Sequence, residues 1–365
     1  MRKRTLSIVL AAAMCASLTA CGGGGSTAET TAADSSNTET KAADASEKSD
    51  KPLRVCVVYT GNLGDNDSCN MGAQKAVEDF GIELKSLEGT TAEEWKANLL
   101  QACDDGYDLI IGASSNIADY ITENASSYPD TKFAVIDTTV DLPNVESISF
   151  AQNEGSFLAG AAAAMFTTKT DIPNVNEDHI IGWVGGMDIP VLHDFYTGYE
   201  QGAKYIDPDI KILQAFAGSW TDPLKGKELT LAQYEQGADI VMNVASGTGV
   251  GILEGAKEAD KYAIGVDLNQ DSDQPGHVLT SMVKRVDNAC YLVIQSAVEG
   301  TFEGGTTKYL ALKDGGVSLT DFSVIKESLG DKFPQDIVDK CDELAEKIKS
   351  GEIVVENYEG FGPQA

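Results

Sequence analysis

Positive charge is scarce in this sequence. Its 365 residues include 27 Lys and Arg against 57 Asp and Glu, so the formal net charge is −30 at pH 7. A surface this acidic repels polyanions, and the composition therefore argues against nucleic acid and anionic lipid headgroups as partners. Long apolar segments are lacking too, because the apolar run 6–18 is too short to cross a bilayer as a helix of the mature protein.

Cysteine and histidine are too few and too scattered to suggest a disulfide framework or a metal centre. Cys15 belongs to the signal peptide and Cys21 to the lipidation site, both described below, which leaves an odd number of cysteines without paired spacing. Cys56 lies in a predicted strand and is expected to be a small core residue. The three histidines are widely separated along the chain, which disfavours a metal or catalytic role.

The short motifs of common catalytic sites are missing as well. The sequence contains no Gly-x-Ser-x-Gly elbow, no His-Glu-x-x-His zinc motif and no Gly-x-x-x-x-Gly-Lys phosphate loop. The glycines at 247–251 resemble a dinucleotide fingerprint, but the third comes one residue too early. We therefore predict neither an enzyme nor a cofactor, and expect the backbone at Gly247 to contact a neutral ligand near a helix N-terminus.

The first residues have the order of a secretory signal peptide. Three basic residues precede the apolar run, and Leu18-Thr19-Ala20-Cys21 has the form of a bacterial lipobox. This pattern predicts a signal peptide at 1–20 and acylation of Cys21, which would anchor the protein by lipid on the outer face of the cell membrane. An ordinary signal peptide with a coincidental cysteine is the alternative. Residues 21–51 are rich in Gly, Ser, Thr and charge, and we predict a disordered tether there.

Beyond residue 52, predicted strands and helices alternate, which favours an α/β fold with parallel sheets and crossover helices. The predicted strands are 54–59, 82–87, 109–112, 133–137, 145–150, 180–184, 210–216, 240–244 and 262–267. The predicted helices are 71–80, 92–104, 117–127, 190–205, 223–236, 251–259 and 335–349.

Two halves of this pattern echo each other. Gly106-Tyr107-Asp108 and Gly237-Ala238-Asp239 each precede an apolar strand, and the next strand of each half ends in an aspartate, Asp137 or Asp267. The shared order and spacing favour two similar parallel-sheet lobes. Ligands of open α/β sheets bind beyond the carboxyl ends of the strands, so both aspartates are expected to face one cleft.

Several segments carry a resemblance to a known family. They are 157–162, 181–190, 198–203, 218–223, 225–228, 237–241, 247–249, 263–267 and 281–285. In this order they resemble the basic membrane protein (BMP) family of lipoproteins, the substrate-binding subunits of nucleoside-type ABC transporters. The likeness spans roughly residues 53–300. It implies a type I periplasmic-binding-protein fold with two lobes joined by hinge crossovers, and capture of a nucleoside, often a purine nucleoside, for import.

The resemblance also implies roles for individual residues. Asp137 and Asp267 match positions that hold ribose hydroxyls in relatives, and Lys284 matches a lysine that follows a later strand. Trp220 stands where relatives usually have phenylalanine, which would allow it to stack on a base. Each residue also has an ordinary structural interpretation: a turn or helix cap for the aspartates, packing for Trp220, and an ion pair across the cleft for Lys284.

The first loop departs from the family's pattern. Relatives usually have Gly-Asp-x-Ser-Phe-Asn-Asp-Ser, whereas residues 64–70 are Gly-Asp-Asn-Asp-Ser-Cys-Asn. Asp65 and Asn66 are the candidate ligand-binding residues of this loop. Either three residues are missing after Asp65, or the phenylalanine has become Cys69. Both alternatives remove an aromatic ring that sandwiches the base in relatives, so either the ligand differs or Tyr59 substitutes.

Together these features predict a lipid-anchored receptor that captures a nucleoside in an interlobe cleft and delivers it to an ABC permease with a separate ATPase. A sugar-binding receptor is the alternative, since it would use the same aspartates and tryptophan. A surface hydrolase is a third, in which the two aspartates would activate water. The predicted N-terminal lobe is 52–150 with a returning segment 272–300, and the C-terminal lobe is 151–271 completed by 301–365.

Overall fold

A computed structural model of the chain describes residues 51–61 and 68–359. The predicted signal peptide, the lipidation site Cys21, the tether up to residue 50 and the loop residues Asp65 and Asn66 lie outside the described residues. In the described ranges, none of the helices combines the length and the apolar composition that crossing a bilayer requires.

Strands and helices alternate along the described residues, as the sequence predicts. The strands are β1 Arg54–Tyr59, β2 Glu83–Glu88, β3 Leu109–Gly112, β4 Lys132–Ile136, β5 Val145–Phe150, β6 Ile180–Gly185, β7 Lys211–Phe216, β8 Ala238–Val244, β9 Tyr262–Asp267, β10 Val278–Lys284, β11 Thr306–Leu310 and β12 Val317–Leu319. The helices are α1 Ser68–Phe80, α2 Ala92–Asp104, α3 Ala118–Asn124, α4 Gln152–Phe166, α5 Pro190–Ile206, α6 Pro223–Glu235, α7 Gly249–Glu258, α8 Val286–Glu299, α9 Ser323–Leu329 and α10 Gln335–Lys349.

The strands form two sheets of six strands with equivalent orders. The first runs β11-β5-β4-β3-β1-β2, and the second runs β12-β10-β9-β8-β6-β7. Pairing is parallel throughout the first sheet. In the second sheet only the edge strand β12 runs antiparallel to its neighbour. The predicted α/β architecture with two similar, mainly parallel sheets is confirmed.

The central strands are buried on both faces, which is why they are nearly continuous apolar runs. Every residue of β3 and of β8 is buried. Cys56 in β1 is 0% exposed and is a core residue, as predicted, and Trp183 in β6 is also 0% exposed.

The chain passes between the two sheets by three connections. After β5 it enters α4, which packs against α5, and after β10 it returns as α8, which packs against α1. Ala151 and Arg285, which begin these two connections, have nearly the same backbone angles (φ −83°, ψ 61° and φ −81°, ψ 58°). The third connection joins β11 of the first sheet to β12 of the second. Two of the three connections therefore begin with the same backbone conformation.

Two segments differ from the sequence prediction. The returning segment 272–300 was predicted to lie wholly in the first lobe, yet its strand β10 pairs with β9 in the second sheet and only α8 returns. Strand β11 falls in the range predicted to complete the second lobe, yet it pairs with β5 in the first sheet. The neighbour of a strand in a sheet depends on burial and on backbone hydrogen bonds to residues far away in the sequence. The local pattern of apolar residues gives no information about either.

Candidate functional site

A cleft of about 400 Å³ lies where the carboxyl ends of the two sheets face each other. On the first sheet's side it is lined by Ala113 after β3, Asp137 after β4, and the start of α1. On the second sheet's side it is lined by the ends of β8 and β9, and Lys284 and Val286 contribute from the β10–α8 connection. A cleft of this size accommodates a small organic molecule.

Asp137 and Asp267 occupy equivalent positions in the two lobes. Each comes at the end of a strand, β4 or β9, and these strands have the same place in the two sheets. Both residues adopt the left-handed backbone region, with φ of 65° and 64°. This conformation is uncommon for residues other than glycine, although Asp and Asn tolerate it better than most. The sequence expectation that both aspartates face one cleft is met by the lining of the cleft.

Lys284, the last residue of β10, joins the two lobes. Its Nζ donates to both carboxylate oxygens of Asp137, at 2.8 and 3.0 Å. The same ammonium lies 5.4 Å from the ring centroid of Phe150 and 5.7 Å from that of Phe195. Burial acts to lower the pKa of Lys284, but the charges of Asp137 and Asp267 outweigh it and the pKa is raised. Lys284 therefore stays protonated inside the cleft.

Asp267 is the carboxylate with spare hydrogen-bonding capacity. Its Oδ1 is buried and has no hydrogen-bond partner among the described residues. Burial raises the pKa of Asp267, Lys284 lowers it and Asp137 raises it further, with a net rise. A buried acceptor without a hydrogen-bond partner is unfavourable, so this oxygen is suited to accept a hydrogen bond from a hydroxyl group of a ligand.

Two amide side chains that the sequence analysis missed stand beside Asp267. Asn243 in β8 and Gln270, three residues after the end of β9, both line the cleft. Asn243 Nδ2 donates to Gln270 Oε1 at 3.1 Å. The echo between the two halves drew attention to the strand ends at Asp137 and Asp267, but no motif marks an amide within β8 or in the turn after β9.

The sequence-predicted residues Trp220 and Gly247 lie beside the cleft and are absent from its lining. The Trp220 ring packs on Gly186: a Cβ placed on that glycine would come within 2.4 Å of the ring. The Trp220 carbonyl accepts a hydrogen bond from Thr248 N at 2.9 Å. Ser246, next to Gly247, does line the cleft. Stacking by Trp220 and a backbone contact at Gly247 thus stay predictions.

Cys69 lies in the first turn of α1 and lines the cleft. It is the residue that one of the two alignments of the first loop places at the position of the family's phenylalanine. Tyr59, the other proposed substitute, is 3% exposed at the end of β1 and is not part of the cleft lining. Within the described ranges, no three His, Cys, Asp or Glu side chains gather in a way that would hold a metal ion.

Comparison with known proteins assigns the chain to one family of substrate-binding proteins. A family model described as ABC transporter substrate-binding protein PnrA-like (Bmp) matches residues 53–359. The ABC transporter nucleoside-binding protein BmpA of Lactococcus lactis subsp. cremoris is 33% identical over 316 residues, covering 79% of this chain and 87% of BmpA. A lipoprotein of Pyrococcus abyssi is 31% identical over 346 residues, covering 83% of this chain and 84% of its own length.

A solved structure supports the same relationship. The ABC transporter solute-binding protein from Aeropyrum pernix K1 superposes with a TM-score of 0.76 at 29% identity, covering 84% of this chain and 94% of that protein. The similarity therefore extends over both sheets and the connections between them.

Proposed function

Because this chain belongs to the family of PnrA-like ABC transporter substrate-binding proteins, we propose that its ligand is a nucleoside, with a purine base preferred. The family itself makes the protein a non-enzymatic receptor that binds a small molecule outside the cytoplasm and works with an ABC transporter. The ligand class, its delivery to a permease powered by a separate ATPase, and the lipid anchor are the parts we propose.

The convergence of Asp137, Asp267 and Lys284 in one cleft is the observation that carries the proposal. Two carboxylates accept hydroxyl hydrogens and an ammonium donates to hydroxyl oxygens, which suits the ribose of a nucleoside. Charge-assisted hydrogen bonds of this kind contribute about 1.5–3 kcal/mol each.

The placement of these groups also suggests how binding is coupled to transport. Asp137 belongs to the first lobe, and Asp267 to the second. A ligand that contacts both is held fully only when the lobes are closed, so it favours the closed state by its extra contacts there. The closed receptor then docks on the permease.

A sugar is the second candidate ligand, and one observation favours it. Among the described residues that line the cleft, none is aromatic. The groups that would bind hydroxyls line the cleft, whereas Trp220, which would stack on the base of a nucleoside, lies outside the lining. A sugar would need only the groups that bind hydroxyls.

Calorimetry on the soluble fragment beginning at Lys51 separates the two ligands. We expect inosine or guanosine to bind with micromolar or tighter affinity, and ribose and galactose to give no heat. Trp220→Ala is expected to weaken nucleoside binding about 10-fold or more, because stacking on one base contributes about 1–3 kcal/mol.

Trp95→Ala is the matched control, since the Trp95 indole N–H bonds the Gly89 carbonyl away from the cleft. It should leave the affinity unchanged. If ribose or galactose binds as tightly as the nucleoside, and Trp220→Ala has no effect, the sugar alternative replaces the nucleoside proposal.

The lipid anchor is tested separately on the full-length chain. With a clickable fatty acid in the growth medium of a bacterial host, the wild type should be labelled and remain with the membrane fraction. Cys21→Ser should lose the label and the membrane association, because it removes the thiol that we propose is acylated. The neighbouring change Thr19→Ser keeps a small polar residue and serves as the control. Equal labelling of wild type and Cys21→Ser would exclude Cys21 as the site.

A further inference from the structure

Gln270 lies at the cleft and is fixed there through both its backbone and its side chain. It lies three residues after Asp267 and lines the cleft with it. Its backbone N donates to Ser281 Oγ at 3.0 Å, which fixes this turn against β10. Further bonds within the turn run from Asp273 N to the Gln270 carbonyl and from Leu268 N to the Val266 carbonyl, so the backbone of Gln270 is fixed beside the cleft.

The side-chain oxygen of Gln270 is held by two donors. Oε1 accepts from Val266 N at 2.9 Å and from Asn243 Nδ2 at 3.1 Å. A backbone N–H can only donate, so the amide has one possible orientation, with its oxygen toward Val266 and its nitrogen away from it. Gly265 leaves room for this arrangement, because a Cβ there would lie 2.9 Å from Gln270 Cβ and 2.5 Å from Ser281 Oγ.

The side-chain nitrogen of Gln270 is left with two unused donors. Nε2 makes no hydrogen bond to any described residue, and it is not among the buried polar atoms without a partner, so it is open to solvent in a residue that lines the cleft. Asp267 lines the same cleft, and its Oδ1 is an acceptor that also has no partner among the described residues. The second lobe thus presents a donor and an acceptor to the same space.

We propose that Gln270 is a specificity-determining residue that donates from Nε2 to one hydroxyl oxygen of the ligand while Asp267 accepts from the neighbouring hydroxyl. The pair recognises a vicinal diol, and an analogue that lacks one hydroxyl leaves one member of the pair unsatisfied. The inference rests on the proposed function to the extent that the ligand must carry neighbouring hydroxyls, as both a nucleoside and a sugar do.

The variant Gln270→Glu separates this role from a structural one. A glutamate oxygen still accepts from Val266 N and from Asn243, so the bonds that hold the turn are kept while both donors to the ligand are lost. Gln270→Met is the second variant; it removes the donors without adding charge, but it also removes the bonds to Val266 and Asn243.

The experiment is a double-mutant cycle between the protein and the ligand, measured by calorimetry. The probes are inosine, 2′-deoxyinosine, 3′-deoxyinosine and 2′,3′-dideoxyinosine, with ribose and 2-deoxyribose used instead if the wild type binds only sugar. We expect Gln270→Glu to weaken inosine binding about 10-fold, as for loss of one hydrogen bond at a buried site. For the analogue that lacks the recognised hydroxyl, the loss in Gln270→Glu should be about 10-fold smaller, since only the effect of the added charge remains, and Gln270→Met should bind this analogue like the wild type.

The outcomes separate this inference from the proposed function. If Gln270→Glu and Gln270→Met weaken every analogue by the same factor, or lower the melting temperature of the ligand-free protein without changing the ratios between analogues, Gln270 is structural and the inference is wrong. If the wild type binds inosine tightly in that experiment, the proposed function stands regardless. If the wild type binds neither nucleoside nor sugar, both fall.

Discussion

Replacing Lys284 by methionine is expected to weaken ligand binding about 10- to 100-fold, the loss that corresponds to one charged hydrogen bond of about 1.5–3 kcal/mol. Methionine has a similar volume and can fill the space beside Phe150 and Phe195, but it lacks the ammonium that lies over these rings, that donates to Asp137 and that we propose donates to the ligand. Two carboxylates, Asp137 and Asp267, then face the cleft without a cation between them, which opposes closure of the lobes. Calorimetry with inosine measures the effect.

The same variant is expected to lower the free energy of unfolding. Removing one partner of a fully buried ion pair costs about 3–5 kcal/mol. The cost here should be smaller, because 22% of the Asp137 side chain remains exposed and cleft water can solvate it. Urea unfolding of the ligand-free protein measures this part independently of binding.

Lys308→Met is the matched control for Lys284→Met. Lys308 pairs with the buried Glu146 at 2.8 Å between β11 and β5, away from the cleft. It should lower stability and leave the affinity for ligand unchanged. If Lys284→Met and Lys308→Met reduce affinity equally, Lys284 acts only through the stability of the fold.

Asp267→Asn is expected to weaken ligand binding about 10-fold and, at neutral pH, to make the ligand-free protein more stable. The amide has the shape of the carboxyl and tolerates the φ of 64°. It forms neutral hydrogen bonds, which are about half as strong as charged ones. The gain in stability follows because the wild type buries a carboxylate oxygen that has no partner among the described residues.

The pH dependence of the free energy of unfolding follows from the direction in which folding shifts the pKa of Asp267. Burial raises the pKa of Asp267 above the usual value of an aspartate, so the folded state binds this proton more readily than the unfolded state. Stability of the wild type therefore falls as the pH rises from the unfolded pKa through the folded one. Asp267→Asn has no carboxyl group that ionises at this position. Its free energy of unfolding should therefore exceed that of the wild type increasingly as the pH rises from the unfolded-state pKa to the folded-state pKa, and should remain higher above that range.

Ligand affinity should change with pH in the opposite sense. The ionised carboxylate is the better acceptor, so wild-type affinity should decrease as acid protonates Asp267, at a higher pH than for an ordinary aspartate. Calorimetry at several pH values with Asp267→Asn, whose affinity should be flat over this range, tests the assignment.

Asp271→Asn is the control for Asp267→Asn. Asp271 is also buried, its Oδ1 accepts from Ser281 Oγ at 2.6 Å, and it does not line the cleft. An equal loss of affinity in Asp271→Asn, or no loss in Asp267→Asn, would show that Asp267 does not contact the ligand.

Local periodicity predicted nine of the twelve strands and seven of the ten helices of the described residues, and it did not give β10, β11, β12, α4, α8 or α9. The predicted strands 54–59, 109–112, 145–150 and 262–267 have the observed bounds, as do the helices 92–104 and 335–349. These segments are either apolar runs buried on both faces or helices with a regular apolar stripe, so their local pattern and their final environment agree. The segment 278–284 is a buried strand that includes Thr280, Ser281 and Lys284, and nothing in its own residues indicates which sheet it joins.

Some residues of the candidate site could likewise be predicted from the sequence, and others could not. Asp137 and Asp267 could be predicted because each ends an apolar strand, and the carboxyl ends of parallel strands always meet at one edge of the sheet. Gln270 could not, because its position depends on bonds to Val266, Asn243 and Ser281, which come from three different strands. Trp220 has an aromatic ring that could stack on a base. Its packing on Gly186 could not be predicted, because it is a contact between residues far apart in the sequence.

By itself, then, the sequence determined the α/β architecture, the repeat of its two halves, the family to which the chain belongs and the two aspartates that end equivalent strands. These follow from periodicity and from residues close together in the chain. Only the tertiary structure decided which sheet β10 and β11 join, that Lys284 pairs with Asp137, and that Asp267 keeps an acceptor without a partner among the described residues. These depend on burial and on hydrogen bonds between residues far apart in sequence, whose free energies exist only once both lobes have formed.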